Sequence, residues 1–149
     1  MNSSEKLSAL FAAVERSGVY VFSGSTATIE KAGRAAGLAL FSLDLGSLEG
    51  KAPLLDSLAS HLKFPKHFGY NWDALHDILT DSSWHPANGW IIIFHSAHQF
   101  EATHKKEFET LIEVCKSSIE HWRRNGKPFW VLVQGAGKWN SGLATFPSA

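Results

Sequence analysis

Trp90-Ile91-Ile92-Ile93-Phe94 is an unbroken run of large apolar residues. A strand sends successive side chains to opposite faces, so this run is apolar on both sides and needs cover above and below. Val19-Tyr20-Val21-Phe22 and Phe129 to Val133 read the same way, and Leu38 to Leu45 places Ala39, Phe41, Leu43 and Leu45 on one shared face. Between these runs lie segments with helical spacing of apolar residues. Strands that alternate with helices and are apolar on both faces predict an α/β fold, with a small, mainly parallel sheet packed by helices.

The helices are read from their punctuation. Ser3 or Ser4 opens a helix to about Arg16, Ala27 to Ala36 forms an alanine-rich one, and Lys51 to Leu62 tolerates Pro53 in its first turn. A short helix is expected from Asn71 to Asp81, and a long one from Glu101 to Arg124 ending at Asn125-Gly126. The sheet is then expected to have three strands in the segment 38–134, plus an N-terminal strand from residues 1–37 added at an edge. The Gly/Ser/Ala-rich tail, 135–149, is expected to dock loosely or fray. A chain of 149 residues supports one compact unit.

Fourteen Lys plus Arg balance fourteen Asp plus Glu. A general nucleic-acid binder would have a basic excess, so that class is disfavoured. Cys115 is the sole cysteine, which removes intrachain disulfides and multi-cysteine zinc sites. No signal peptide or membrane-length apolar segment is evident, so a cytoplasmic protein without membrane association is expected.

The charge is unevenly placed. From His67 to His104 there is no Lys or Arg, while Asp73, Asp77, Asp81 and Glu101 fall inside that span. On the Asn71–Asp81 helix, Trp72, Leu75, Ile78 and Leu79 cover an apolar arc of roughly 120°. Asp73, Asp77 and Asp81, at i, i+4 and i+8, form a stripe on nearly the opposite side. Asn71 is a good N-cap, and Asp73 falls where the helix dipole favours a carboxylate. Acidic residues on a helix usually just face water. An unbalanced stripe beside an aromatic loop also suits a partner with a positive cleft.

The segment from Phe64 to Asp81, with its Pro-x-x-Phe-Gly-x-Asn loop followed by apolar-Asp-Ala-Leu-x-Asp-x-Leu-Thr, closely resembles the barstar family of intracellular ribonuclease inhibitors. Element order fits from about Leu38 to Val133. The resemblance implies a non-enzymatic protein, a monomer when free, that forms a 1:1 complex by placing this helix and its preceding loop in a basic ribonuclease active site. By position, Asp77 would replace a substrate phosphate and Asp73 would be its acidic companion. Gly69, Asn71, Trp72 and Ala74 would make close contacts, His67 and His76 would flank them, and Thr80 and Asp81 would form the far rim. The family's additional acidic contact on the long helix would fall near Glu120 or His121. His67 and Phe68 stand where the family often has tyrosines, and His76 where tryptophan is common. The neutral chain should also steer a partner less strongly than the acidic reference inhibitors.

Other constellations read more simply. His95, His98 and His104 with Glu101 make a thin ligand set, so no metal or cofactor is expected. His76 could pair with Asp73 in a small hydrolase, but no nucleophile, phosphate loop or nearby cation completes such a site. Lys105, Lys116 and Arg123 interleave with Glu109, Glu113 and Glu120 as a salt-bridged solvent face rather than an RNA surface. Trp84 and Trp139 are the tryptophans expected at the surface. A same-fold binding module for another basic protein is the main alternative to nuclease inhibition.

Overall fold

The computed structural model describes residues 2–135 and 139–146. Five strands, β1 (Val19–Phe22), β2 (Ala39–Asp44), β3 (Trp90–His95), β4 (Phe129–Gln134) and β5 (Ala144–Thr145), form one sheet in the order β2-β3-β4-β1-β5. Every pairing is parallel, with Ile92 opposite Phe41 on one side and Val131 on the other. Helices α1 (Ser3–Phe11) and α2 (Thr26–Ala35) cover one face of the sheet. Helices α3 (Lys51–His61), α4 (Trp72–Leu79), α5 (Ala97–Thr103) and α6 (Lys105–Arg124) cover the other.

The two-sided strand pattern explains this three-layer arrangement. Trp90, Ile92 and Phe94 join the core beneath α3 to α6, together with Phe129, Val131 and Val133. The intervening Ile91, Ile93, Trp130 and Leu132 join Leu7, Phe11, Ile29 and Ala32 beneath α1 and α2. Gly33 lets α2 approach closely, since a Cβ there would stand 2.7 Å from Ile91 Cδ1. Buried indoles are satisfied by carbonyls: Trp130 Nε1 donates to Phe11 O at 2.9 Å, which ties α1 to the sheet.

The parallel sheet packed by helices is the expected architecture, but the first helix stops at Phe11 rather than about Arg16, with a separate 3-10 turn at Val14–Arg16, and four further details differ. First, β1 is not an edge strand, because it lies between β4 and β5. Second, the described part of the tail is docked: Ala144 and Thr145 pair with Tyr20 and Val21, and Phe146 stacks 5.5 Å from Phe11. Two strand residues leave no periodicity to read. Residues 136–138 and 147–149 of the tail lie outside the described ones. Third, the long helix is two helices broken at His104, whose φ of −135° and ψ of 56° are not helical. The segment also begins earlier, at Ala97. Fourth, Trp84 and Trp139 are half-buried against the core rather than free at the surface, and Trp84 Nε1 donates to Leu62 O at 2.8 Å.

Candidate functional site

The loop before α4 is held from below by aromatic packing. Phe68 is buried, with its ring 4.9 Å from Phe64 and 4.8 Å from Tyr70. Phe64 in turn meets Trp84, which stacks on Phe41 of β2. Tyr70 has a φ of 51°, a left-handed conformation uncommon for a bulky residue, and the residue is 52% exposed. That turn delivers the chain to Asn71, whose Oδ1 accepts from Ala74 N at 2.7 Å and whose Nδ2 donates to Gly69 O at 3.3 Å. One side chain therefore caps α4 and fixes the loop.

Helix α4 buries Leu75, Ile78 and Leu79, with Trp72 and Ala74 packed at the margin of the core. Its far end is pinned to α6, where Trp122 Nε1 donates to Leu79 O at 2.7 Å. Lys127 lies over the Trp122 ring at 5.8 Å and donates to Ala87 O. The inward arc read from the sequence is thus the buried face. Asp73 and Asp77 project to solvent on the exposed face. Among the described residues neither carboxylate has a hydrogen bond or ion pair.

The helix stops at Leu79, two residues short of the expected end. Thr80 donates its hydroxyl to His76 O at 2.8 Å and closes the last turn. Asp81 accordingly leaves the helical stripe and lies in a turn, accepting from both the backbone N–H and the hydroxyl of Ser83 at 2.8 Å. Those two bonds, the backbone one foremost, hold its carboxyl below the usual 3.8, with a small contribution from His67.

A shallow concavity of about 240 Å³ gathers His67, Phe68, Gly69, Ala74, Asp77, Ile78 and Asp81. The structure therefore brings five of the expected site residues together: His67, Gly69, Ala74, Asp77 and Asp81. Asp73 lies outside it on the same exposed helix face, while Asn71 and Thr80 are occupied with capping. A larger concavity of about 430 Å³ lies elsewhere, between α6 and residues 140–143, away from the acidic helix.

His76 turns toward α6, with Nε2 3.0 Å from Ser117 Oγ. Among the described residues no hydrogen bond or ion pair joins it to Asp73. Ser117 is a site neighbour that sequence reasoning missed, and its separation of 41 residues left no local signal. The structure also separates Glu120 from His121. Glu120 pairs with Arg123 and Arg124, and lies with Ser17 to Tyr20 at the β1 side of α6. His121 follows Ser117 by one helical turn, on the flank that meets α4. On the solvent face of α6, Glu120 is the acidic residue within ion-pair distance of a cation, among the described residues. Lys105, Lys116, Glu109 and Glu113 do not form the expected bridged stripe.

The other histidines are used separately. His95 Nδ1 lies 2.9 Å from Gln134 Oε1, and His104 Nε2 lies 3.5 Å from Glu49. Among the described residues no three His, Cys, Asp or Glu side chains could hold a metal ion, and no helix is long and apolar enough to cross a membrane.

The family model described as Barstar (barnase inhibitor) matches residues 38–134, more than half of the chain. The chain belongs to the barstar family. The match begins just before β2 and ends with β4, so the acidic helix and its loop lie within it, while α1, β1 and α2 precede it. No curated protein matches this chain. Among solved structures, a chain from Drosophila ORC bound to AT-rich DNA and Cdc6 is similar, with 15% identity and a TM-score of 0.49. The alignment covers 93% of this barstar-family chain and 50% of that one, so the chain spans half the length of the structure it matches.

Proposed function

We propose that this barstar-family chain is a protein inhibitor that occludes the basic active site of a small ribonuclease with α4 and the His67–Asn71 loop. The observation that supports it most is the state of Asp73 and Asp77. They are exposed and unpaired among the described residues, on a helix whose other face is fixed in the core. A carboxylate held this way takes charge-assisted hydrogen bonds from an Arg fork built for phosphate, and its helix loses little freedom on binding.

In this reading Asp77 stands in for the phosphate, with Asp81 and His67 across the concavity and Asp73 one turn earlier. Gly69, beside Ala74 at the rim, lets a partner approach the backbone. Trp72 and Ala74 present their exposed edges, and His76 flanks Asp77 from the α6 side. The chain acts by association and needs no cofactor. Hydrolysis by His76 has no support in the geometry, since its ring is committed to Ser117.

The test is a titration of small secreted microbial ribonucleases, each held at fixed concentration while RNA cleavage is followed. The reading predicts that at least one loses activity linearly to an endpoint at one inhibitor per nuclease. If the whole panel stays active at large excess of inhibitor, the reading is wrong.

A further inference from the structure

We propose that His121 joins His67 and His76 as a partner-facing residue, and that these three imidazoles make the affinity for a basic partner depend on pH. This rests on the inhibitor reading and adds regulation to the same surface. One ring lies on the acidic helix itself, one on the loop before it and one on α6, which packs against it. His67 is exposed on the preceding loop and shares the concavity with Asp77 and Asp81. His76 is adjacent to Asp77 on α4, its Nε2 fixed by Ser117. His121 lies one turn beyond Ser117 on α6, edge-on to Trp122 at 4.9 Å, and that indole holds the end of α4.

The charged neighbours differ for each ring. Facing His67 are Asp77 and Asp81, with Lys66 beside it on the loop. Near His76 are Asp73 and Asp77 on its own helix, and the polar group that α6 brings to it is Ser117. Around His121, α6 contributes Glu120 and Arg124, which are paired with each other, and Lys127 lies over the adjoining Trp122 ring. Helix α4 contributes the carboxylates Asp73 and Asp77 and the imidazole of His76.

Histidine is the side chain whose charge changes between pH 5 and 8. With the three rings neutral, Asp73, Asp77 and Asp81 leave the surface net negative even with Lys66 on the loop. With all three protonated, the imidazolium charges equal the carboxylate charges in number. A basic cleft is attracted to the first state and must accept cations against its own cations in the second. Asp81 does not offset this, because its Ser83 bonds keep it ionised throughout that range. Each ring that must lose its proton on binding weakens the complex about tenfold per pH unit once it titrates. Binding is therefore strong on the alkaline side and falls as pH drops.

The experiment compares Kd for one inhibited ribonuclease from about pH 8 to about pH 5.5 at constant ionic strength. The inhibitors are the full chain and its H67Q/H76Q/H121Q variant, with circular dichroism confirming that both stay folded. Titration of the nuclease's own groups is common to both arms and cancels in the comparison. The proposal expects the wild type to lose at least about tenfold more affinity than the variant over this range. H67Q alone, at an exposed loop position, should show part of that difference even if the triple variant folds poorly. Equal pH dependence in wild type and variants overturns the proposal and leaves nuclease inhibition standing. Absence of binding near pH 8 by either protein removes the inhibitor reading, and the proposal with it.

Discussion

Among the described residues the Asp73 and Asp77 carboxylates make no ion pair and accept no hydrogen bond. Asp81 is the contrast, since Ser83 donates to it twice. Its carboxyl is held below the usual 3.8, so its contribution to stability is complete above that value and is lost as pH falls through the lower folded-state value. Full exposure keeps the effect small. Urea midpoints at neutral pH and below about pH 4 should show a slightly smaller acid loss for Asp81→Asn than for wild type. An identical acid loss would show that the turn contributes nothing. Cys115 is the opposite kind of residue, buried on the inner face of α6, where desolvation pushes its thiol up to about 12. Native protein at mildly alkaline pH should resist a thiol reagent and react after unfolding. Rapid labelling of the native state would mean that α6 opens readily.

At the scale of the element, α4 depends on its cap. Asn71→Ala removes the bond to Ala74 N and the bond to Gly69 O together, and should cost about 1 kcal/mol in a denaturant titration. A change below experimental error would show that packing alone sets the helix start. This element was also the most legible in the sequence. Leu75, Ile78 and Leu79 are buried where their spacing placed them, because an amphipathic helix reveals its inner face by periodicity. What sequence spacing could not show was the end of the helix. Asp81 continues the i, i+4 series, yet Thr80 and Ser83 take the local hydrogen bonds and turn the chain. The break at His104 was hidden in the same way, since the apolar pattern runs through it from Phe100 to Phe108. The meeting of Ser117 with His76, and the flanks of α6 on which His121 and Glu120 lie, depend on how α6 rotates against α4, a tertiary fact with no local signature.

For the molecule as a whole, the family match ends where the second core layer begins to matter. Ile91, Ile93, Trp130 and Leu132 lie within residues 38–134, but α1, α2 and β1 from the preceding segment cover them. Burying each of these side chains contributes about 1.5–3 kcal/mol. Four of them together approach the whole stability of a typical domain, about 5–15 kcal/mol. A fragment beginning at residue 38 should therefore lose its cooperative thermal transition and bind a hydrophobic dye. A sharp transition with native near-ultraviolet dichroism would show instead that the matched region folds alone. Inhibition is a property of the intact chain, and the decisive measurement is calorimetric titration of an inhibited ribonuclease with wild type and Asp77→Ala. Truncating one partner of a buried charged pair costs about 2–5 kcal/mol or more, a range whose reference cases include a barstar complex. Asp77→Ala should weaken the complex by about that amount with its fold unchanged; an affinity equal to wild type would mean that Asp77 does not face the nuclease.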